Sequence, residues 1–89
     1  MRAVITVVGH DKIGIIAEVS RVLAENKINI LDISQTIMQD MFTMIMLVSL
    51  ERAETSFKAV SDTLETLGDT LGLSIRIQHE GLFQSMHRI

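Results

Sequence analysis

Strand-like and helix-like hydrophobic patterns alternate along this chain, and their order is what most restricts its fold. Residues 2–8, RAVITVV, are short, apolar and β-branched, which predicts a buried strand. A helical apolar stripe follows, formed by Ile15, Ile16, Val19, Val22 and Leu23. Two β-like runs, 28–38 and 42–51, are then joined by a predicted hairpin at Gln39-Asp40-Met41.

The second half of the chain repeats the alternation. A helix is predicted over 55–71, where apolar side chains recur at steps of three and four: Phe57, Val60, Leu64, Leu67 and Leu71. Gly72 is expected to end this helix in a left-handed conformation. Residues 73–79 alternate between apolar and polar, as a half-buried strand does. The predicted order of elements is therefore βαββαβ.

Rules of chain connection reduce this order to one simple topology. The crossover between strands one and two should be right-handed, and the 28–51 hairpin should pair with itself. We predict an α+β fold, a ferredoxin-like sandwich whose antiparallel sheet has the strand order 2-3-1-4 and carries both helices on one face. One domain is expected over residues 1–80, followed by a tail or short helix over 81–89. In this topology strand two is an exposed edge.

Composition excludes several classes of function. The 89 residues include no cysteine, so disulfides, thiolate metal sites and cysteine catalysis are excluded. A net charge of −3 without any basic run argues against nucleic acid as a partner. No apolar run approaches the ~18 residues of a membrane span, and no secretory pattern is visible, so we expect a cytoplasmic protein without a membrane partner. No catalytic set is recognisable, and neither enzyme activity nor a cofactor is expected.

The three histidines invite a metal-site interpretation. Strands one and four should run antiparallel, which places His10 and His79 at opposite ends of the sheet, and His87 lies in the tail. We therefore predict no metal site. The methionines around the hairpin could bind copper(I), but packing in the core or at an interface is the better interpretation.

The polar turn after strand one is the first candidate for function. Asp11 is predicted to cap the helix that follows, accepting hydrogen bonds from its free amides. The same carboxylate could pair with an ammonium group, while the helix N-terminus suits a carboxylate and Gly14 allows close approach. A purely structural interpretation stays open, in which Asp11 is only a cap, Gly14 a packing residue and Asn29 a turn residue.

The stretch VVGHDKIGIIAEVSRVLAENKINILDIS resembles the first half of an ACT domain. That family combines a strand, a turn of the form D-x-x-G-[IVL], a helix and N-I at the next strand. The matching positions are Asp11, Gly14, Ile15, Asn29 and Ile30. The element order extends the resemblance over about residues 2–80, and the chain looks like the short prokaryotic ACT proteins related to glycine-cleavage repressors. One departure is Lys12-Ile13-Gly14, where many ACT turns have R-P-G.

The resemblance implies a regulatory module that binds a small molecule, often an amino acid, as a homodimer. Strand 28–38 and the first helix are the expected interface, since two copies of the edge strand can pair antiparallel about a two-fold axis. One copy's turn would then approach the other copy's Asn29. The predicted ligand site comprises His10, Asp11, Lys12, Ile13, Gly14, Ile15, Asn29 and Ile30. The alternative is a module that dimerises or docks onto a partner protein without a ligand.

The face of the sheet away from the helices is predicted to need a cover. Strand three is apolar on one side at Phe42, Met44, Met46, Val48 and Leu50, and on the other at Ile45 and Leu47. The tail, with Leu82, Met86 and Ile89 at helical spacing, could lie on a neighbour or close its own subunit. A second layer of subunits, giving a tetramer, is the other candidate cover.

Overall fold

The computed structural model describes residues 1–86 as one sheet with three helices. The elements are β1 (Arg2–His10), α1 (Ile15–Glu25), β2 (Asn29–Met38), β3 (Met41–Ser49), α2 (Phe57–Leu71), β4 (Leu73–His79) and α3 (Glu80–Met86). The sheet has the order β2-β3-β1-β4, and every neighbouring pair is antiparallel. The predicted ferredoxin-like fold is confirmed.

Strand pairing moves several element ends away from their predicted positions. β1 continues to His10 because Gly9 and His10 pair with Phe42 and Met41 of β3. The hairpin turn contains only Gln39 and Asp40, and Gln39 has a left-handed φ of 59°. Met41 therefore belongs to β3 and not to the turn.

The core lies between one face of the sheet and the helices α1 and α2. Its largest fully buried side chains come from β1, β3 and both helices: Ile5, Val7, Ile15, Val19, Leu23, Met44, Met46, Val48, Val60 and Leu64. Ile16 is the exception in the predicted α1 stripe, since 38% of its surface is exposed. This side chain lies beside the core and remains available to a partner.

The two long helices begin in different ways. At α2, the Ser56 hydroxyl accepts a hydrogen bond from the Ala59 amide at 3.1 Å, and Gly72 ends the helix with a φ of 72°, as predicted. At α1, the predicted cap is wrong: Gly14 is the N-cap residue, and no side chain caps the helix. Asp11 lies three residues before Gly14, and its side chain makes no hydrogen bond to the first helical amides.

Both outer strands of the sheet are free edges, but only one of them exposes large apolar side chains. On β4 the alternate residues Leu73, Ile75 and Ile77 are buried, because α2 packs along this strand. β2 is exposed over nearly its whole length, and its Ile33 and Ile37 remain 42% and 48% exposed. The edge that lacks a helical cover is therefore β2.

The α3 helix contacts β1 and β4 of its own subunit. Arg2 and Glu80 form an ion pair at 3.1 Å, and Val4, which points away from α1 and α2, is only 6% exposed. Of the two alternatives for the tail, the described part closes its own subunit; the predicted contributions of His87 and Ile89 lie outside the described residues. Among residues 1–86, no helix is long and apolar enough to cross a membrane.

Candidate ligand site

A small cavity of about 280 Å³ lies between the turn after β1, the start of α1 and the edge strand β2. Four predicted site residues line it: Asp11, Lys12, Gly14 and Ile15. The remaining lining residues are Ile16, Ala17, Gln35, Ile37 and Phe42. Because Gln35 and Ile37 belong to the free edge, the cavity lies beside the uncovered side of the sheet.

The start of α1 supplies this cavity with polar groups. The first bond of the helix runs from the Glu18 amide to the Gly14 carbonyl at 2.9 Å, so the amides that precede Glu18 have no acceptor within the helix. These amides and the helix dipole favour a negative group. The Asp11 carboxylate, exposed at the cavity, forms no hydrogen bond or ion pair within residues 1–86. A cationic group could therefore pair with it.

Lys12 has a structural partner in the fold. Its ammonium group donates a hydrogen bond to the carbonyl of Leu71, in the last turn of α2. A cation at this end of a helix is favourable because the carbonyl ends of the helix carry partial negative charge. Lys12 thereby joins the turn to α2 and helps to position it.

Two residues of the predicted site point elsewhere. His10 alternates with the core residues of β1 and faces the open side of the sheet, where its Nδ1 lies 3.6 Å from Oδ2 of Asp40. Ile13 is fully exposed and does not line the cavity.

The histidines that the structure describes are far apart. His79 pairs with Ala3, at the end of the sheet opposite His10, and its ring stacks on Phe57 with the centroids 4.2 Å apart. Within residues 1–86, no group of three or more histidine, aspartate or glutamate side chains could hold a metal ion.

Asn29 and Ile30 lie at the other end of the sheet. Asn29 pairs with Ser49, which pairs with Arg2, whereas the turn follows His10. The Asn29 side chain is exposed, and Ile30 packs against the core. One subunit therefore does not bring the turn and Asn29 together.

The sequence did carry a signal for Gln35, which the predicted site omits. On the helix side of β2, Ile33, Gln35 and Ile37 pair with Met46, Met44 and Phe42 of the core face. A polar side chain in the middle of this apolar row is the signal. Lys27 and Arg52 were also missed, and they border cavities at the Asn29 end.

Comparison with known proteins places this geometry in a family. Residues 2–78 match the family model described as ACT domain. A UPF0237 protein of Clostridium acetobutylicum is 61% identical over 89 residues, which is 100% of both chains. An ACT domain protein from Streptococcus pneumoniae has a TM-score of 0.81 and 44% identity, over 94% of each chain. A structure described as a glycine cleavage system transcriptional repressor has a TM-score of 0.76 and 32% identity, over 86% of this chain and 44% of that one.

The ferredoxin-like sandwich with a glycine turn before its first helix is, in this family, the fold of a small regulatory domain. The chain belongs to the ACT domain family. The resemblance drawn from the turn and from Asn29-Ile30 is confirmed at the level of the family.

Proposed function

We propose that this protein is a cytoplasmic small-molecule sensor that works as a homodimer and binds an amino acid between its two copies. The observation that carries the proposal is the position of the 280 Å³ cavity beside the free, apolar edge of β2. A second copy that covers this edge also covers the cavity. Ligand binding and assembly are thereby coupled.

The uncovered edge has the features of an interface between copies. Ile16, Ile33 and Ile37 expose apolar surface beside unpaired backbone groups, which proteins ordinarily cover. The neighbouring side of α1 carries the small residues Ala17 and Ala24, which allow a second helix to approach closely. Antiparallel pairing of two β2 strands would satisfy the edge and give a sheet of eight strands.

This pairing would also complete the site. Opposite residues of an antiparallel pair lie on the same face of the sheet, so the two-fold axis must pass through a residue position such as Ser34. With Leu31 bulged as it is against β3, Asn29 of one copy then lies opposite Met38 of the other. Because Ile37 lines the cavity beside this point, Asn29 of the second copy would approach the cavity. The turn and Asn29, which are separated within one subunit, then belong to a single site.

The groups around the cavity match an amino acid. Asp11 would pair with the ammonium group, and the free amides of α1 would donate hydrogen bonds to the carboxylate. The Asn29 amide can donate and accept hydrogen bonds at the opposite side. A volume of about 280 Å³ suits a metabolite of this size.

A mixing experiment tests the shared site. Asp11→Ala and Asn29→Ala should each weaken amino-acid binding in calorimetry. Mixing the two variants should restore one intact site in each mixed dimer, or about a quarter of all sites after random exchange. Failure to regain binding in mixed dimers that native mass spectrometry shows to have formed would contradict the proposal of a site shared between two copies.

The dimer itself is tested at Ile33. Ile33→Lys would bring two like charges together near the two-fold axis and should shift the protein towards monomer in sedimentation velocity. Ser74→Lys, an exposed change on the other edge strand, is the matched control and should keep the dimer. A wild-type monomer at micromolar concentration contradicts the dimer. A dimer that binds no amino acid supports the alternative, a dimerisation or docking module without a ligand.

A further inference from the structure

Two cations flank Asn29 at its end of the sheet. Cavities of about 710 Å³ and 480 Å³ adjoin there, and Lys27, Asn29 and Arg52 line both of them. Ala24 lines the smaller cavity, so this cavity lies on the side of α1 that borders the free β2 edge. In the proposed dimer, this side faces the turn cavity of the other copy.

Neither cation has a partner within residues 1–86. Arg2 pairs with Glu80, Arg21 with Glu18 and Glu25, and Lys58 with Asp62, while Lys12 donates to the Leu71 carbonyl. The hydrogen bond to Glu18 raises the pKa of Arg21, which is fixed in its own network on α1. Lys27 and Arg52 form no such pair, although Glu51 and Glu54 each line one of the two cavities.

The backbone at Lys27 adds to this contrast. Lys27 follows the C-cap residue of α1 with a left-handed φ of 59°, at a place where glycine is the residue that fits best. Folding alone therefore does not account for a lysine here. What lysine adds at this position is its ammonium group, which lines the two cavities together with Arg52 and Asn29.

A neutral amino acid would leave both cations without an ion-pair partner, since within the described part of the chain neither Glu51 nor Glu54 forms a salt bridge with them. Its ammonium and carboxylate groups are matched by Asp11 and the amides of α1, so nothing remains for Lys27 and Arg52. A second copy would partly cover both cations, and covered charges that are not paired are unfavourable. An additional anionic group on the ligand removes this imbalance.

We infer that the ligand is an acidic amino acid, whose side-chain carboxylate or phosphate is bound by Lys27 and Arg52 of the second copy. This inference rests on the proposed function, since the two cations reach the cavity only across the dimer. The guanidinium of Arg52 can bind an anionic group through two parallel hydrogen bonds, and the ammonium of Lys27 acts as a point charge.

Calorimetry with matched ligand pairs tests the inference. Aspartate should bind the wild-type protein at least about tenfold more tightly than asparagine, its neutral analogue of nearly equal shape. O-phosphoserine compared with serine tests phosphate in place of carboxylate, and a preference for either acid supports the inference. Lys27→Met and Arg52→Met should each reduce the preference while leaving the affinity for the neutral member unchanged.

Two further variants separate charge from folding. Arg76→Met removes another cation without an ion pair, on β4 at the opposite edge, and should keep the preference. Lys27→Gly suits the backbone at this position and should keep the melting temperature while reducing the preference. Equal binding of acidic and neutral members overturns the inference and leaves the proposed function intact. If the wild-type dimer binds none of the four compounds or any other amino acid, both are overturned.

Discussion

At the scale of single residues, Gly14 is fixed by its backbone and not by its surroundings. Its φ is 94°, yet a Cβ added there would meet no atom within 4 Å. Gly14→Ala should therefore lower the free energy of unfolding by about 1 kcal/mol through backbone strain alone. Urea denaturation measures this change.

Gly81 provides the matched control for this substitution. A methyl group added there would also meet open space, but Gly81 lies within α3 and has no positive φ. Gly81→Ala should leave stability unchanged or raise it slightly, because alanine favours helix. Equal losses in the two variants would show that the left-handed conformation of Gly14 is not what requires glycine.

Single residues also show where sequence reasoning about the site was sufficient. The spacing from Asp11 to Ile15 located the turn, since a glycine directly before an apolar helical stripe has few other uses. The spacing did not locate the first residue of α1, and the prediction that Asp11 caps this helix was therefore wrong. No side chain caps α1. Gln35 enters the cavity through the pairing of β2 with β3, which depends on residues far apart in the chain.

At the scale of elements, α2 depends on its first hydrogen bond. Ser56→Ala removes the oxygen that accepts from the Ala59 amide at 3.1 Å and should lower the free energy of unfolding by about 1 kcal/mol. Ser61→Ala removes a hydroxyl from the interior of the same helix, where alanine is favoured, and should cost nothing. Comparable losses in thermal unfolding of both variants would contradict the capping role of Ser56.

The elements themselves were predictable because each has its own hydrophobic period. Their ends were less so: β1 continues to His10 only because β3 provides partners for it. The strand order 2-3-1-4 makes both β2 and β4 edge strands, but only β2 was predicted from the sequence to be an exposed edge. What distinguishes the two edges is the packing of α2 on β4, a tertiary property that leaves Ile33 and Ile37 without a cover.

At the scale of the whole molecule, the two faces of the sheet are covered to different extents. α1 and α2 bury one face, while α3 contacts β1 and β4 near the Arg2–Glu80 ion pair. Val4 is buried there, but Ile45, further along the same face, is 39% exposed. The last helix thus covers one end of this face, and the remainder stays open.

Removal of α3 tests this role. Deletion of residues 81–89 should expose the Val4 side chain and lower the free energy of unfolding by roughly 1.5–3 kcal/mol, the contribution expected from full burial of a valine. The dimer should persist, since β2 lies on the opposite side of β3 from β1. Deletion of residues 87–89 alone keeps α3 and is the matched control, which should retain nearly the full stability. If the shorter deletion causes the whole loss of stability in urea denaturation, or if the longer deletion causes none, α3 does not cover Val4. If the longer deletion yields monomers in sedimentation velocity, the interface is not confined to β2 and α1.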